Sequence, residues 1–167
     1  DSPHPQLPPR AMVIVGHVPT PVTLHVYDVG TSGGAQVLNS CLRPLGTGAF
    51  HCGVEVFARE WSYCYVLGTH DGTGVFCCQP RGSPGHRFSE SVQLGRTAMS
   101  EEEAMQLIEL LELTWRSSAY DILTSNCCHF CAELCARLGV EAIPDWVTNM
   151  AAAGASLMVK DLADMTC

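Results

Sequence analysis

The stretch NCCHFCAELCARLG, residues 126–139, predicts an α-helix that carries a thiol in its first turn. Asn126 is a favoured N-cap residue, and Gly139 is the residue type that most often follows a helix end. Five side chains between them recur at helical spacing and predict one buried stripe: Cys127, Cys131, Leu134, Cys135 and Leu138. The unpaired N–H groups and the dipole at the start of a helix favour a thiolate, the nucleophilic form of cysteine. Cys127 is therefore a candidate nucleophile.

Further helices are predicted on both sides of this stretch. Ser100–Trp115 is the clearest, because Ser100 and Glu103 form a capping box. Its predicted core stripe is Ala104, Leu107, Ile108, Leu111 and Trp115. A third helix is predicted to start at Pro144, and a tail helix is predicted over Ser156–Met165.

The upstream half has the patterns of β-strands that are separated by glycine- and proline-containing turns. The predicted strands are Ala11–Val15, Val22–Val29, Phe50–Phe57, Trp61–Val66, Gly74–Gln79 and, more weakly, Arg87–Leu94. Strands followed by helices are typical of an α+β domain. We expect an antiparallel sheet or small barrel from the N-terminal half, packed on helices from the C-terminal half.

Composition narrows the class of protein. The 167 residues suit one domain, with 47% apolar and 16% charged residues. A formal net charge of −8 argues against non-specific nucleic-acid binding. The charge-free run Val147–Val159 is too short and too mixed to span a bilayer, so no integral membrane segment is predicted.

The chain contains ten cysteines, an even number that invites a disulfide interpretation. Most of them lie in apolar strand-like or helical segments, where reduced cysteine packs as a small buried hydrophobe. We therefore favour reduced thiols and a cytoplasmic location, with the nucleus as a second compartment. The first residue is Asp1, and the sequence leaves open a targeting segment removed before it.

The chemistry-bearing residues have competing interpretations on the residues alone. Cys127 is either a nucleophile or only the first member of a buried stripe. Its neighbour Cys128 lies about 100° away on the helix, off the stripe, as an exposed bystander or a resolving thiol. His51, which opens an apolar strand, is either a general base and acid or an ordinary strand-end histidine. His129 is interpreted as structural, and no role is evident for His25.

A zinc site competes with the nucleophile hypothesis. Cys127, Cys131 and Cys135 stack on one predicted helical face, with Cys128 and His129 nearby. Structural zinc usually takes two ligands from each of two knuckles, and no second knuckle of this character is present in the sequence. No metal and no cofactor are therefore predicted.

Several local words of the sequence resemble the PPPDE superfamily, which comprises permuted papain-fold cysteine peptidases known also as desumoylating isopeptidases. The resemblance runs from about Val22 to Ala151. The segments that carry it are VTLHVYDV (22–29), GAFHCGVEVFAREW (48–61), GVF (74–76), YDILTSNCCHF (120–130) and IPDWVTN (143–149).

The resemblance implies a circularly permuted papain-like fold with His51 as catalytic histidine and Cys127 as nucleophile. It implies removal of ubiquitin or ubiquitin-like modifiers from lysine, or of S-acyl groups from proteins. The chain departs from the family at two positions. Cys128 stands where the branch that it most resembles has asparagine, and Cys64 stands where the family commonly has glycine. A third, orienting residue is not given by the motif.

These expectations define the predicted organisation. Residues 1–10 form a disordered proline-rich lead-in, residues 11–152 a PPPDE-like catalytic domain, and residues 153–167 a tail. The predicted function is a Cys–His thiol hydrolase acting on isopeptide or thioester bonds. The alternative is a catalytically silent interaction module of the same fold in a larger assembly. The oligomeric state stays open.

Overall fold

The computed structural model describes residues 18–28, 50–66 and 72–148. Several predictions from the sequence lie outside these ranges: the lead-in 1–10, the strand Ala11–Val15 and the tail helix Ser156–Met165. In the described part of the chain, no helix is long and apolar enough to cross a membrane.

Five strands form one antiparallel sheet. They are β1 (Thr20–Asp28), β2 (Phe50–Val56), β3 (Arg59–Tyr63), β4 (Val75–Cys78) and β5 (Arg87–Thr97). Their order across the sheet is β4-β3-β2-β1-β5, with every neighbouring pair antiparallel. The sheet is not closed into a barrel, so of the two predicted arrangements the structure has the open sheet. The α+β class is confirmed.

Strand β1 lies inside the sheet and is buried on both faces. All six residues from Val22 to Tyr27 are buried, although an alternating strand with one exposed face fits the sequence equally well. His25, for which no role was evident, lies in this strand. Its ring nitrogens contact Ser91 Oγ at 2.8 Å and Glu55 Oε2 at 2.7 Å, so it links β1 to both neighbouring strands.

Strands β2 and β3 are joined by a two-residue turn, Phe57-Ala58. Both turn residues have positive φ, 51° and 57°, as a type I′ turn requires. The turn sets the register in which Glu55 pairs with Glu60 and Val54 with Trp61. This register places Glu60 and Ser62 on the same face of the sheet as His51, because residues two apart share a face.

Two helices follow the sheet, as predicted. Helix α1 (Glu101–Thr114) begins at the Ser100–Glu103 capping box and buries Ala104, Leu107, Ile108 and Leu111. Trp115, predicted as its last core residue, is the C-cap and is half-buried. Helix α2 (Cys127–Leu138) begins at Asn126, ends at Gly139 with φ 70°, and packs against β2 and β3. Residues 145–148 are helical after Pro144.

Candidate active site

The side chain of Asn126 stabilises the start of helix α2 through both its amide oxygen and its amide nitrogen. Its Oδ1 accepts the backbone N–H groups of Cys128 at 2.9 Å and His129 at 3.3 Å. Its Nδ2 donates to Ile122 O at 2.8 Å. The cap does not use the N–H of Cys127, the first residue of the helix. Cys127 therefore places both its thiol and its backbone N–H in the first turn, and the Asn126 side chain does not accept that N–H.

His129 completes the cap. Its Nδ1 accepts the backbone N–H of Asn126 at 3.4 Å, and its side chain is exposed at the helix surface. The interpretation of His129 as a structural residue is confirmed, because the capping box accounts for its ring nitrogen.

Three thiols meet beneath the helix start. The Sγ atoms of Cys52, Cys127 and Cys128 all lie within 4.8 Å of one another, and Cys52 Sγ is 3.6 Å from Cys128 Sγ. Cys128 is only 1% exposed, and its Sγ also contacts Val147 O at 3.7 Å. The prediction of Cys128 as an exposed bystander is wrong, because β2 and the segment around Val147 cover the side of the helix on which it lies.

The thiol cluster singles out Cys127 electrostatically. Hydrogen bonds from Cys128 and from Cys52 hold the pKa of Cys127 well below its usual value, and a hydrogen bond with His51 and its charge lower it further. Burial opposes these effects. The same contact with Cys127 raises the pKa values of Cys52 and Cys128, so that these two thiols are the donors. Of the three thiols, Cys127 is the one whose pKa is lowered.

Other buried thiols of the same helix behave differently. Burial raises the pKa of Cys131 to about 12 and that of Cys135 to about 12. Both belong to the predicted inward stripe, and both are completely buried. A low thiol pKa is therefore a property of the first turn and its neighbours, and does not extend along the stripe.

His51 and Ser62 form a hydrogen-bonded chain with the backbone. Ser62 Oγ lies 3.1 Å from His51 Nε2 and donates to Cys52 O at 2.5 Å. A hydroxyl has one proton, so Ser62 can accept only a proton that His51 Nε2 donates. The neutral ring is then the Nε2–H tautomer, and Nδ1 is left as the nitrogen that accepts a proton.

Two aromatic rings are stacked with the ring of His51. The His86 ring is stacked on it at a centroid distance of 4.2 Å, and the Phe76 ring at 6.1 Å. Burial, followed by the charge of His51, lowers the pKa of His86 to about 4. At neutral pH His86 is therefore an uncharged ring, and its stacking restricts the orientation of His51.

The buried Glu60 side chain forms hydrogen bonds on the same face of the sheet as His51. Both Glu60 oxygens accept the Tyr27 hydroxyl, at 2.7 and 2.8 Å, and Oε2 also accepts the Arg81 N–H at 2.7 Å. Glu60 is fully buried. It occupies the space above Gly53, where an added Cβ would lie 2.3 Å from Glu60 Oε1 and 2.8 Å from its Cγ.

The structure brings the two predicted site residues, His51 and Cys127, into contact from strand β2 and helix α2. Ser62, His86 and the place of Cys52 in the site were not predicted from the sequence. The alternation along Glu-Trp-Ser-Tyr indicates that Ser62 and Glu60 share one face of the strand. Only the β2–β3 register shows that this face also carries His51.

The thiols that converge differ from the set weighed for zinc. In the part of the chain that the structure describes, the group close enough to share one ion is Cys52, Cys127 and Cys128. His129 is occupied by the cap. Among the described cysteines, all eight are free thiols, of which Cys77 is exposed and Cys64 and Cys78 are half-buried.

The chain is similar in sequence to several known proteins. The chain is 36% identical over 135 residues to a DeSI-like protein of Arabidopsis thaliana, covering 81% of this chain and 57% of that protein. It is 33% identical over 136 residues to a desumoylating isopeptidase 1 homolog of Caenorhabditis elegans, covering 79% of this chain and 38% of that protein. Human desumoylating isopeptidase 1 is 25% identical over 131 residues, covering 78% and 74%.

The chain thus spans roughly half or less of the length of the first two relatives. The family model of the PPPDE peptidase domain matches residues 20–166, which include the sheet, both helices and every site residue described above. Since that match covers most of the sequence, the chain belongs to the PPPDE peptidase family.

Proposed function

We propose that this chain is a cysteine isopeptidase that uses Cys127 as nucleophile and His51 as general acid and base. The observation that carries the proposal is the lowered pKa of Cys127 at the start of a capped helix, in contact with His51. A buried structural cysteine has a raised pKa, as Cys131 and Cys135 have.

The geometry supports a thiolate–imidazolium mechanism. The Cys127 thiolate attacks the carbonyl carbon of the isopeptide bond, and the new oxyanion is stabilised by the Cys127 N–H, which the cap leaves over. His51 transfers its Nδ1 proton to the leaving lysine amine. A water molecule then gives a proton back to Nδ1 and attacks the thioester of the acyl-enzyme, which restores Cys127.

The relatives indicate the substrate class. Three of them are named desumoylating isopeptidases or homologues of one. We extend this to the present chain and propose conjugates of a small ubiquitin-like modifier of the SUMO type as substrates. An S-acyl thioester would be attacked by the same thiolate with a better leaving group, so it is the second substrate class to assay. No nucleic acid is involved in this proposal.

The reactivity of Cys127 tests the proposal directly. Alkylation by iodoacetamide, followed for each cysteine by peptide mass spectrometry, should label Cys127 at pH 6–7, well below the free-thiol pKa of about 8.5. Cys135 is the internal control, because its pKa of about 12 predicts no labelling there. Since Cys128, Cys52 and His51 all lower the pKa of Cys127, Cys128→Ala and His51→Ala should each move the midpoint upward.

Equal labelling of Cys127 and Cys135 across this pH range would contradict the proposal. An unreactive Cys127 would support the alternative, an interaction module that keeps the fold without the chemistry. Pull-down of a stable partner would then be the next measurement.

Ser62 is expected to act as a positioning residue for His51. Because its hydroxyl accepts the Nε2 proton, Ser62→Ala should let the ring rotate and lower kcat by about 10- to 100-fold with little change in KM. Ser62→Thr keeps the hydroxyl and should restore most of the rate, and steady-state hydrolysis of a modifier conjugate measures both variants.

Ser91→Ala is the matched control for Ser62. Ser91 contacts His25 at 2.8 Å on the same sheet, so its loss removes a comparable serine–histidine hydrogen bond away from Cys127. Equal losses of kcat in Ser62→Ala and Ser91→Ala would mean that Ser62 acts only through the stability of the sheet.

A further inference from the structure

Cys128 forms no bond to the substrate in the hydrolytic mechanism, although its thiol is buried against the nucleophile. The mechanism uses one thiol, whereas three lie within 4.8 Å of one another. They come from two elements: Cys52 from strand β2, and Cys127 and Cys128 from the first turn of α2. Thiol groups from two elements that converge on one point are the arrangement of a soft-metal site.

The spacing of the sulfur atoms fits a single small ion. Three sulfurs around tetrahedral Zn²⁺, at Zn–S distances of about 2.3 Å, lie about 3.8 Å from one another. The Cys52 and Cys128 sulfurs are already 3.6 Å apart, and Cys127 lies within 4.8 Å of both. The two distances to Cys127 Sγ therefore have to shorten by at most about 1 Å, from 4.8 Å to the roughly 3.8 Å of a tetrahedral site.

The surroundings also suit a soft cation. Cys52, Cys127 and Cys128 are 0%, 4% and 1% exposed, so water competes weakly for the coordination positions. Thiolate ligands select zinc-class ions over hard cations such as Mg²⁺ or Ca²⁺.

We propose that Cys52, Cys127 and Cys128 form a three-thiolate site for one zinc-class cation. Binding replaces the thiol protons of the three cysteines, which leave to solvent. No electron is transferred. The consequence, which rests on the proposed function, is reversible inhibition of isopeptide hydrolysis. The bound ion occupies the sulfur that would attack the substrate.

The experiment titrates the reduced full chain with Cd²⁺ under anaerobic conditions and follows the ultraviolet sulfur-to-cadmium charge-transfer band. We expect one Cd²⁺ per chain with the intensity of three Cd–S bonds, and competition by an excess of Zn²⁺. Cys128→Asn and Cys52→Ala should each remove a third of the intensity and weaken binding by about 100-fold or more. Cys135→Ala is the matched control, because Cys135 is equally buried on the same helix outside the cluster.

Two outcomes would overturn the site. One is a band that survives in Cys128→Asn and Cys52→Ala but is lost in Cys77→Ser, which would place the ion at the vicinal pair Cys77-Cys78, of which Cys77 is exposed. The other is the absence of stoichiometric binding. Thermal melting of each variant checks that it is folded, and Cys128→Asn preserves a polar side chain of similar size.

A second readout separates this site from the hydrolase. Zn²⁺ should slow iodoacetamide labelling of Cys127 in the wild-type chain by at least about tenfold and have little effect in Cys128→Asn. Neither the absorbance nor the protection requires turnover. A chain that binds Cd²⁺ with three thiolates but hydrolyses nothing would refute the proposed function and leave the metal site standing.

Discussion

Cys127→Ser is expected to abolish isopeptide hydrolysis, with a loss of about 10⁴-fold or more in kcat. A serine hydroxyl at this position has a pKa far above that of the thiol, and the hydrogen bonds from Cys128 and Cys52 cannot bring it to the anionic state. Binding should persist, because the variant changes one atom within the site. Release of a SUMO-type modifier from a lysine conjugate measures the rate, and a thioester substrate measures the second activity.

Cys135→Ala is the control for this experiment. It removes a thiol from the same buried stripe two turns further along α2, so its effect reports stability and not chemistry. We expect nearly wild-type kcat at a temperature below its melting transition. A Cys127→Ser variant with the same rate as Cys135→Ala would refute the assignment of the nucleophile.

Gly53→Ala is expected to have the largest effect on stability, about 3 kcal/mol in the free energy of unfolding. The added Cβ would lie 2.3 Å from Glu60 Oε1 and 2.8 Å from Glu60 Cγ, so the carboxylate must move. Movement breaks its hydrogen bonds to the Tyr27 hydroxyl and the Arg81 N–H in a fully buried location. A buried charge without its donors is strongly destabilising. Urea unfolding followed by circular dichroism measures the difference.

A double-mutant cycle identifies the cause of this loss. In a Glu60→Ala background the space above Gly53 is vacant, so Gly53→Ala should cost less than about 1 kcal/mol there. If Gly53→Ala destabilises both backgrounds equally, the cause lies in the backbone of β2 and the clash with Glu60 is not responsible.

The helices could be predicted because their determinants are local. Each helix end depends on residues that are close together in the sequence: the capping box of Ser100 with Glu103, the Asn126 N-cap and Gly139 at the C-terminal end. Helical spacing gave the inward residues of both helices, but Trp115 is only half-buried. Cys128 and Phe130, which lie outside the predicted stripe of α2, are buried as well. Similarity of local words to the family supported the same two residues, His51 and Cys127.

The strands were less accessible to prediction. β5 runs over eleven residues, Arg87–Thr97, although its sequence indicated a weaker and shorter strand. Of its residues, Leu94 and Thr97 are buried and the others are exposed or partly exposed, so its pairing with β1 stabilises it more than its own apolar residues do. The turn that joins β2 and β3 has positive φ at Phe57 and Ala58, residue types that give no turn signal.

By itself the sequence determined the helix that presents Cys127, the strand that presents His51 and the membership of both in one α+β domain. These features depend on caps, periodicity and short words, which act over a few residues. Only the tertiary structure decided that Ser62 meets His51 and that Cys52 meets Cys128, 76 residues away. Such contacts depend on strand register and on the docking of α2 on the sheet, because neighbours in space are set by pairing and packing across the whole chain.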